Sequence, residues 1–223
     1  MKGRTTVAPL DPENPVIRLC SEGMRAEVEG RSGDAKTLFE QAWERASDDY
    51  EACVAAHYLA RHQPTVADEL RWNEVCLERA DAVADARVAA FYPSLHACLA
   101  RCHRELGDIE KAGTHFRLAA DHLDALPPGS YVDWLRYVVA EGLRDTGVLV
   151  RSPGEERVAD LLAVLCEDRD LRSLALLLPA FLGHTGTAAD RQRLVEAAHQ
   201  LHAGRRLSVP AQGILRDALT ALA

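Results

Sequence analysis

The sequence predicts an all-α protein made of antiparallel helix hairpins, with a C-terminal helical extension. Three observations carry this expectation. Aromatic residues make up only 5% of the chain while alanine and leucine abound, a composition that favours helices over sheets. Apolar residues recur at spacings of three, four and seven, which line one face of a helix. Glycine followed by a polar residue interrupts that periodicity, most plainly at Gly107-Asp108. Glycine tolerates the left-handed conformation after one helix, and aspartate accepts from the first free amides of the next.

Residues 1–14 hold Pro9, Pro12 and two acidic residues without periodicity, and read as a flexible arm. Helical repeats are expected over 15–147, in units of about 15–49, 50–84 and 89–126 plus a helix at 131–146. In the first unit, helices over 16–29 and 35–46 flank Gly30. In the second, residues 50–62 present Ala52, Ala55, Ala56 and Leu59 on one face, Pro64 and Thr65 interrupt, and residues 66–83 turn Leu70, Leu77 and Ala80 inward. In the third, residues 94–106 carry Leu95, Leu99, Cys102 and Leu106, and residues 109–126 carry Ala112, Phe116, Ala119 and Leu123. The helix over 131–146 ends at Gly147. Residues 148–154 read as a linker, because Ser152-Pro153-Gly154 suits neither regular structure. Four stretches, 155–168, 170–182, 188–203 and 210–222, then make C-terminal helical hairpins over 155–223. The second of them is apolar nearly all round, so it is either central to its bundle or a surface for self-association.

The run Leu99, Ala100, Gly107, Ala112, Phe116 and Ala119 resembles the tetratricopeptide repeat (TPR), a helix-turn-helix unit of about 34 residues. Gly23, Gly30, Ala35, Phe39 and Ala42 reproduce the same register, and Ala42, Ala80 and Ala119 stand 38 and 39 residues apart. His96 and His103 replace the usual Trp and Tyr, and Glu22 departs from the pattern. The resemblance implies a TPR-like α-solenoid whose first helices line a concave binding face. It would place Ile17, Cys20, Met24, Glu27 and Val28 there from the first unit. From the second and third would come Tyr50, Cys53, His57, Ala60, Arg61, Ser94, Ala97, Arg101, Arg104 and Glu105. A fourth unit would add Trp134, Tyr137, Glu141, Arg144 and Asp145. The partner-binding groove is therefore expected at Tyr50, Cys53, His57, Arg61, Arg101, Arg104, Trp134, Tyr137 and Arg144. Its Arg and aromatic side chains suit a protein or peptide of acidic character. The same Arg residues also fit a solvated face neutralised by nearby acids. Cys20 and Met24 stand where the family's carboxylate-clamp subset carries Lys and Asn, so capture of a free chain terminus by that clamp is not expected.

A net charge of -8 argues against a nucleic-acid or anionic-membrane surface over the whole body. The N-terminus lacks an apolar signal region, and the longest apolar run, 174–182, is too short to span a bilayer. A cytoplasmic protein is expected. Lysine occurs only at Lys2, Lys36 and Lys111, which with the alanine excess resembles a GC-rich bacterial coding bias. The six cysteines lack CxxC spacing and read as reduced, partly buried thiols.

Cys53 and His57 are one helical turn apart, with Cys20 at the equivalent place in the preceding unit, and thiolate plus imidazole is zinc chemistry. Small buried cysteines of a helical core explain the same residues. A Cys20–Cys53 bridge is disfavoured, since helices pack about 8–10 Å apart and a disulfide needs Cα atoms within about 7 Å. His199 and His202 suit a polar helix face, and the Gly183–Thr187 turn could seat an anion on free amides or simply start a helix. No nucleophile, phosphate-loop or dinucleotide motif is present, so neither catalysis nor a cofactor is expected. The expected function is an adaptor or regulatory protein that binds a protein or peptide. The alternatives are a metal-dependent enzyme or zinc-binding protein using Cys20, Cys53 and His57, and a scaffold that self-associates into a homo-oligomer through its C-terminal helices.

Overall fold

The computed structural model describes residues 13–222, and all regular structure among them is helical. Of the arm expected over 1–14, residues 1–12 lie outside the described residues. Asn14 instead caps the first helix, accepting from the amides of Val16 and Ile17 at 2.9 and 3.2 Å. Its Nδ2 donates to Oε1 of the buried Glu51 at 2.6 Å, which ties the start of the first helix to the third.

The chain divides into two compact units at the Leu126–Pro127 peptide. The first contains α1 (Pro15–Val28), α2 (Ser32–Arg45), α3 (Asp49–Ala60), α4 (Val66–Val83), α5 (Tyr92–Glu105) and α6 (Ile109–His122), with a 3-10 turn at Leu123–Ala125. Each helix packs on the next in chain order, most extensively within α1/α2, α3/α4 and α5/α6, and α1 also touches α3. Two of the three hairpin turns are built alike. Gly107 at φ +85° directs its amide to Arg104 O, and the Asp108 amide closes on His103 O at 2.8 Å. Gly30 at φ +76° does the same, with the Arg31 amide on Ala26 O at 2.8 Å. A left-handed residue here satisfies the last carbonyls of the preceding helix. Asp108 then caps α6 through the Lys111 amide, and Thr65 caps α4 through that of Asp68.

The core of this unit lies between successive helices rather than in one centre. Val16, Cys20, Ala35, Phe39, Ala42, Val54 and Leu59 fill the space among α1, α2 and α3. Cys53, Ala56, Cys76, Ala80, Val88, Leu95 and Leu99 fill that among α3, α4 and α5. Phe39 and Phe116 are essentially fully buried, each contributing about 1.5–3 kcal/mol by the usual area argument.

The second unit contains α7 (Ser130–Asp145), α8 (Pro153–Glu167), α9 (Leu171–Leu182), α10 (Ala188–Ala203) and α11 (Val209–Leu222). Its last four helices form a closed ring, since α8 packs on α9, α9 on α10, α10 on α11, and α11 back on α8. Their shared core includes Val158, Leu161, Leu165, Leu177, Leu194 and Leu215; α7 packs on α9. The linker expected over 148–154 is shorter than its sequence suggests, because Pro153 and Gly154 begin α8. Proline fits the first turn of a helix, where its missing amide costs nothing. Ser152 and Glu155 complete a reciprocal capping box around it. Gly154 is needed there for room: a Cβ would stand 2.8 Å from the side chain of Leu222.

The α8–α9 turn reproduces the glycine turns with Arg169 in the left-handed position, at φ +54°. Helix α9, apolar in sequence nearly all round, buries Leu174, Leu177 and Phe181 and leaves Leu171, Leu176 and Leu182 exposed. No helix among the described residues is long and apolar enough to cross a membrane.

Candidate functional site

Of the nine residues from Tyr50 to Arg144 expected to form the partner-binding groove, those of the first unit sit on α3 and α5 or at their ends, while Ile17, Cys20, Met24, Glu27 and Val28 lie on α1. Three features position the α3 group: the cap Asp48, the buried small residues Ala55 and Ala56, and the aromatic neighbours of His57. Helix geometry places His57 and Arg61 one turn apart. His57 lies edge-on to Tyr58 and Phe91, with centroids 5.4 and 5.6 Å away. Tyr58 in turn stacks on Phe39 at 5.3 Å. Nδ1 of His57 is buried without a hydrogen-bond partner. Burial, aided by the Arg61 charge, lowers its pKa to about 4, so the ring is neutral at pH 7.

Arg61 crosses to α1, where its Nη2 donates to Glu27 Oε2 at 2.8 Å, while its guanidinium also covers the Tyr58 ring. His62 Nε2 meets the other Glu27 oxygen at 2.8 Å. On α5, Arg101 bonds Glu69 of α4 and Glu105 of its own helix. Burial pulls the Arg101 pKa down, but the bonds to Glu69 and Glu105 outweigh it and leave the group above its ordinary value. Arg104 lies over the Phe116 ring, and Arg87 covers Tyr50. The cationic residues chosen from sequence are therefore placed among acids and rings of neighbouring helices.

Cys53 has a different role from that of a groove residue. It is fully buried, with Sγ 3.8 Å from Cys76 Sγ across the α3–α4 interface. The contact with Cys53 and burial together raise the Cys76 pKa well above normal, so the Cys76 sulfur is held as a packed thiol. Cys20 sits in the α1–α3 core, where burial raises its pKa to about 12. Among the described residues no group of three or more His, Cys, Asp or Glu side chains is arranged to hold a metal ion, so Cys20, Cys53 and His57 do not form one.

Two features of this unit went unread in the sequence. Two open hollows flank Trp43: one of about 520 Å³ is walled by Trp43, Glu44, Asp48, Asp49 and Arg79, and one of about 330 Å³ by Trp43, Glu40, Glu44 and Trp72. More unusual is a ladder of four imidazoles between α5 and α6. His96 and His103 are seven residues apart on α5, and His115 and His122 seven apart on α6. Those spacings place each pair on one helix face. Only the packing of α5 against α6 brings the two faces together. His96 Nδ1 lies 3.1 Å from His115 Nδ1.

The remaining groove residues belong to the second unit. Trp134 is 55% exposed and tilts against the exposed Tyr131, while Tyr137 is half-buried. Arg144 donates to the carbonyls of Leu182 and His184, at 3.1 and 3.5 Å, and so serves the C-terminus of α9. Three amides of the Gly183–Thr187 turn are taken within the chain: Gly183 N donates to Pro179 O at 3.1 Å, Thr185 N to Asp190 Oδ2 at 2.9 Å and Gly186 N to His184 Nδ1 at 3.2 Å. Asp190, 1% exposed, also takes bonds from Thr185 Oγ1, Arg136 and Arg193. Burial raises its pKa, but the Thr185 bonds and the Arg193 charge outweigh it and leave the carboxyl below its usual range. His199 and His202 are exposed on α10. Comparison with protein-family models, curated proteins and solved structures finds no match.

Proposed function

We propose that the first unit is a TPR-like stack of helix hairpins that binds a protein or peptide segment along α1, α3 and α5, with no covalent bond made or broken. The observation that carries this reading is the packing of three hairpins in chain order. Small residues accompany that packing: Gly23 lies against Phe39, and Ala100, Ala112 and Ala119 of the third hairpin are fully buried, as is Phe116. Such an arrangement sets α1 beside α3 and would offer a surface along these first helices and α5 to an extended or helical ligand.

The chemistry of that surface is mixed rather than simply cationic. Arg61 and Arg101 are about 40% exposed and already paired with Glu27, Glu69 and Glu105. Exposed pairs of this kind hold by only about 0–1 kcal/mol, so an acidic ligand can exchange with the resident carboxylates. Aromatic contact would come from Tyr50, Tyr58 and His57.

The test is a peptide-display selection against the full chain, followed by affinity measurement on Arg61→Gln/Arg104→Gln. Glutamine is preferred to glutamate, and Arg101 is spared, because a carboxylate at 101 would face Glu69 and Glu105. The expected result is selection of acidic peptides whose Kd rises by about tenfold or more in the variant, equal to about 1.4 kcal/mol, with thermal melting little changed. Equal binding by the variant, or no selected sequence, would overturn the proposal.

A further inference from the structure

The five rings along the α5–α6 interface follow one another in a single order. His103 stacks on His115 with centroids 5.4 Å apart and planes 6° from parallel. His115 meets His96 at 5.3 Å, His96 meets His122 at 5.9 Å, and His122 meets Tyr92 at 5.0 Å. All of these planes lie within about 31° of parallel, and among the described residues no three of these side chains are grouped to hold a metal ion. That arrangement suits titration rather than metal ligation.

We propose that the α5–α6 hairpin is a pH-sensitive latch, closed while its imidazoles are neutral and opened when they protonate. The central contact sets the limit. A hydrogen bond between His96 Nδ1 and His115 Nδ1 needs one N–H and one bare nitrogen. A single added proton can be held on an Nε2. A second leaves two N–H donors facing each other, with two positive rings in contact.

The charged groups around the ladder do not relieve this. From α4, Asp81 accepts the Tyr92 hydroxyl at 2.9 Å and acts on His96 only as a minor favourable charge. At the turn, Asp108 lies 3.9 Å from His103 Nδ1 and is also engaged by Lys111 at 3.0 Å. On α6, Lys111 and His103 both oppose a charge on His115, after burial, which is the larger effect. The carboxylates thus stand at the two ends of the ladder. Burial, then His115 and His122, lower the His96 pKa to about 4.

The folded hairpin therefore binds fewer protons than the open one between that value and the ordinary 6.5. Its stability is complete above about pH 6.5 and falls as the pH drops toward 4. At pH 5, the lowered His96 pKa raises the opening equilibrium by roughly tenfold or more. The latch stands independently of peptide binding by the groove.

Amide hydrogen exchange on the full chain, expressed as protection factors at pH 7 and pH 5, reads the latch directly. Protection within residues 92–122 is expected to fall by about tenfold or more at pH 5, while amides of α8 and α11 change by less than about threefold. The variant His96→Phe/His115→Phe keeps the rings and removes the protons, and should lose most of that fall. His57→Phe, which removes an imidazole of the unit outside the ladder, should retain it. Equal loss of protection in wild type and the ladder variant would overturn the proposal. Should the ladder variant fail to fold, imidazole NMR titration of the wild type decides: four independent transitions near pH 6.5, with helicity intact to pH 4.5, would also overturn it.

Discussion

The ring of Phe39 occupies the space that a side chain at Gly23 would need: a Cβ added there would stand 2.4 Å from Cε1 and 2.7 Å from Cζ. Phe39 is fully buried and cannot swing aside without opening the α1–α3 core. Gly23→Ala is therefore expected to destabilise the first unit by about 1–3 kcal/mol, the usual cost of overpacking. Gly33 in the first turn of α2 has nothing within 4 Å of its would-be Cβ, so Gly33→Ala should be neutral or gain up to about 1 kcal/mol from helix propensity. Urea melts of the two variants side by side test both signs. A Gly23→Ala midpoint equal to wild type would mean that Phe39 does not pack as described.

The hairpin turns make an internal comparison. Gly107 and Arg169 occupy the same left-handed position, at φ +85° and +54°, but only one is a glycine. A side chain in that conformation costs about 1–2 kcal/mol. Gly107→Ala should lose roughly that amount, and Arg169→Gly should recover up to about 1 kcal/mol in the second unit. Thermal melts of the single variants and the double variant check this. The effects should add, because the substitutions lie in different units.

Asp190 anchors the start of α10 with its carboxylate buried beneath Arg136, Arg193 and Thr185. Asp190→Asn removes the charge but leaves both guanidiniums, which are partly solvated, and is expected to cost the second unit about 1.5–3 kcal/mol, as for lost hydrogen bonds to a charged group. The pH dependence follows from the sign of the shift. The folded-state pKa is lowered, so this stability is present above the ordinary carboxyl value of about 4 and is lost as pH falls through the lower folded value. Denaturant midpoints of wild type should therefore drop below about pH 4 through this group, and the drop should be smaller in Asp190→Asn. A parallel pH profile for the two proteins would remove Asp190 from that role.

Much of the helical framework was legible in the chain. Apolar spacing marks the helices, the left-handed turns at Gly30 and Gly107 follow from glycine, with the Asp108 cap after the second, and Phe39 and Phe116 declare themselves as core. These features depend on residues within a few positions of one another, and 3.6-residue periodicity encodes them directly. Pro-Gly punctuation alone hides the start of α8 at Pro153, which the Ser152–Glu155 capping box sets.

Which faces meet was a different matter. The sequence by itself determined that His96 and His103 share one face and His115 and His122 another; tertiary structure decided that the two faces stack. It likewise paired Cys53 with Cys76 rather than leaving it on a binding surface, committed Arg61 to Glu27 and Arg101 to Glu69, and brought α11 back against α8. Periodicity records the direction of a side chain around its own helix axis. The partner across an interface depends on crossing angle, register and chain return over tens of residues, and those are set only when all the helices bury their apolar faces together.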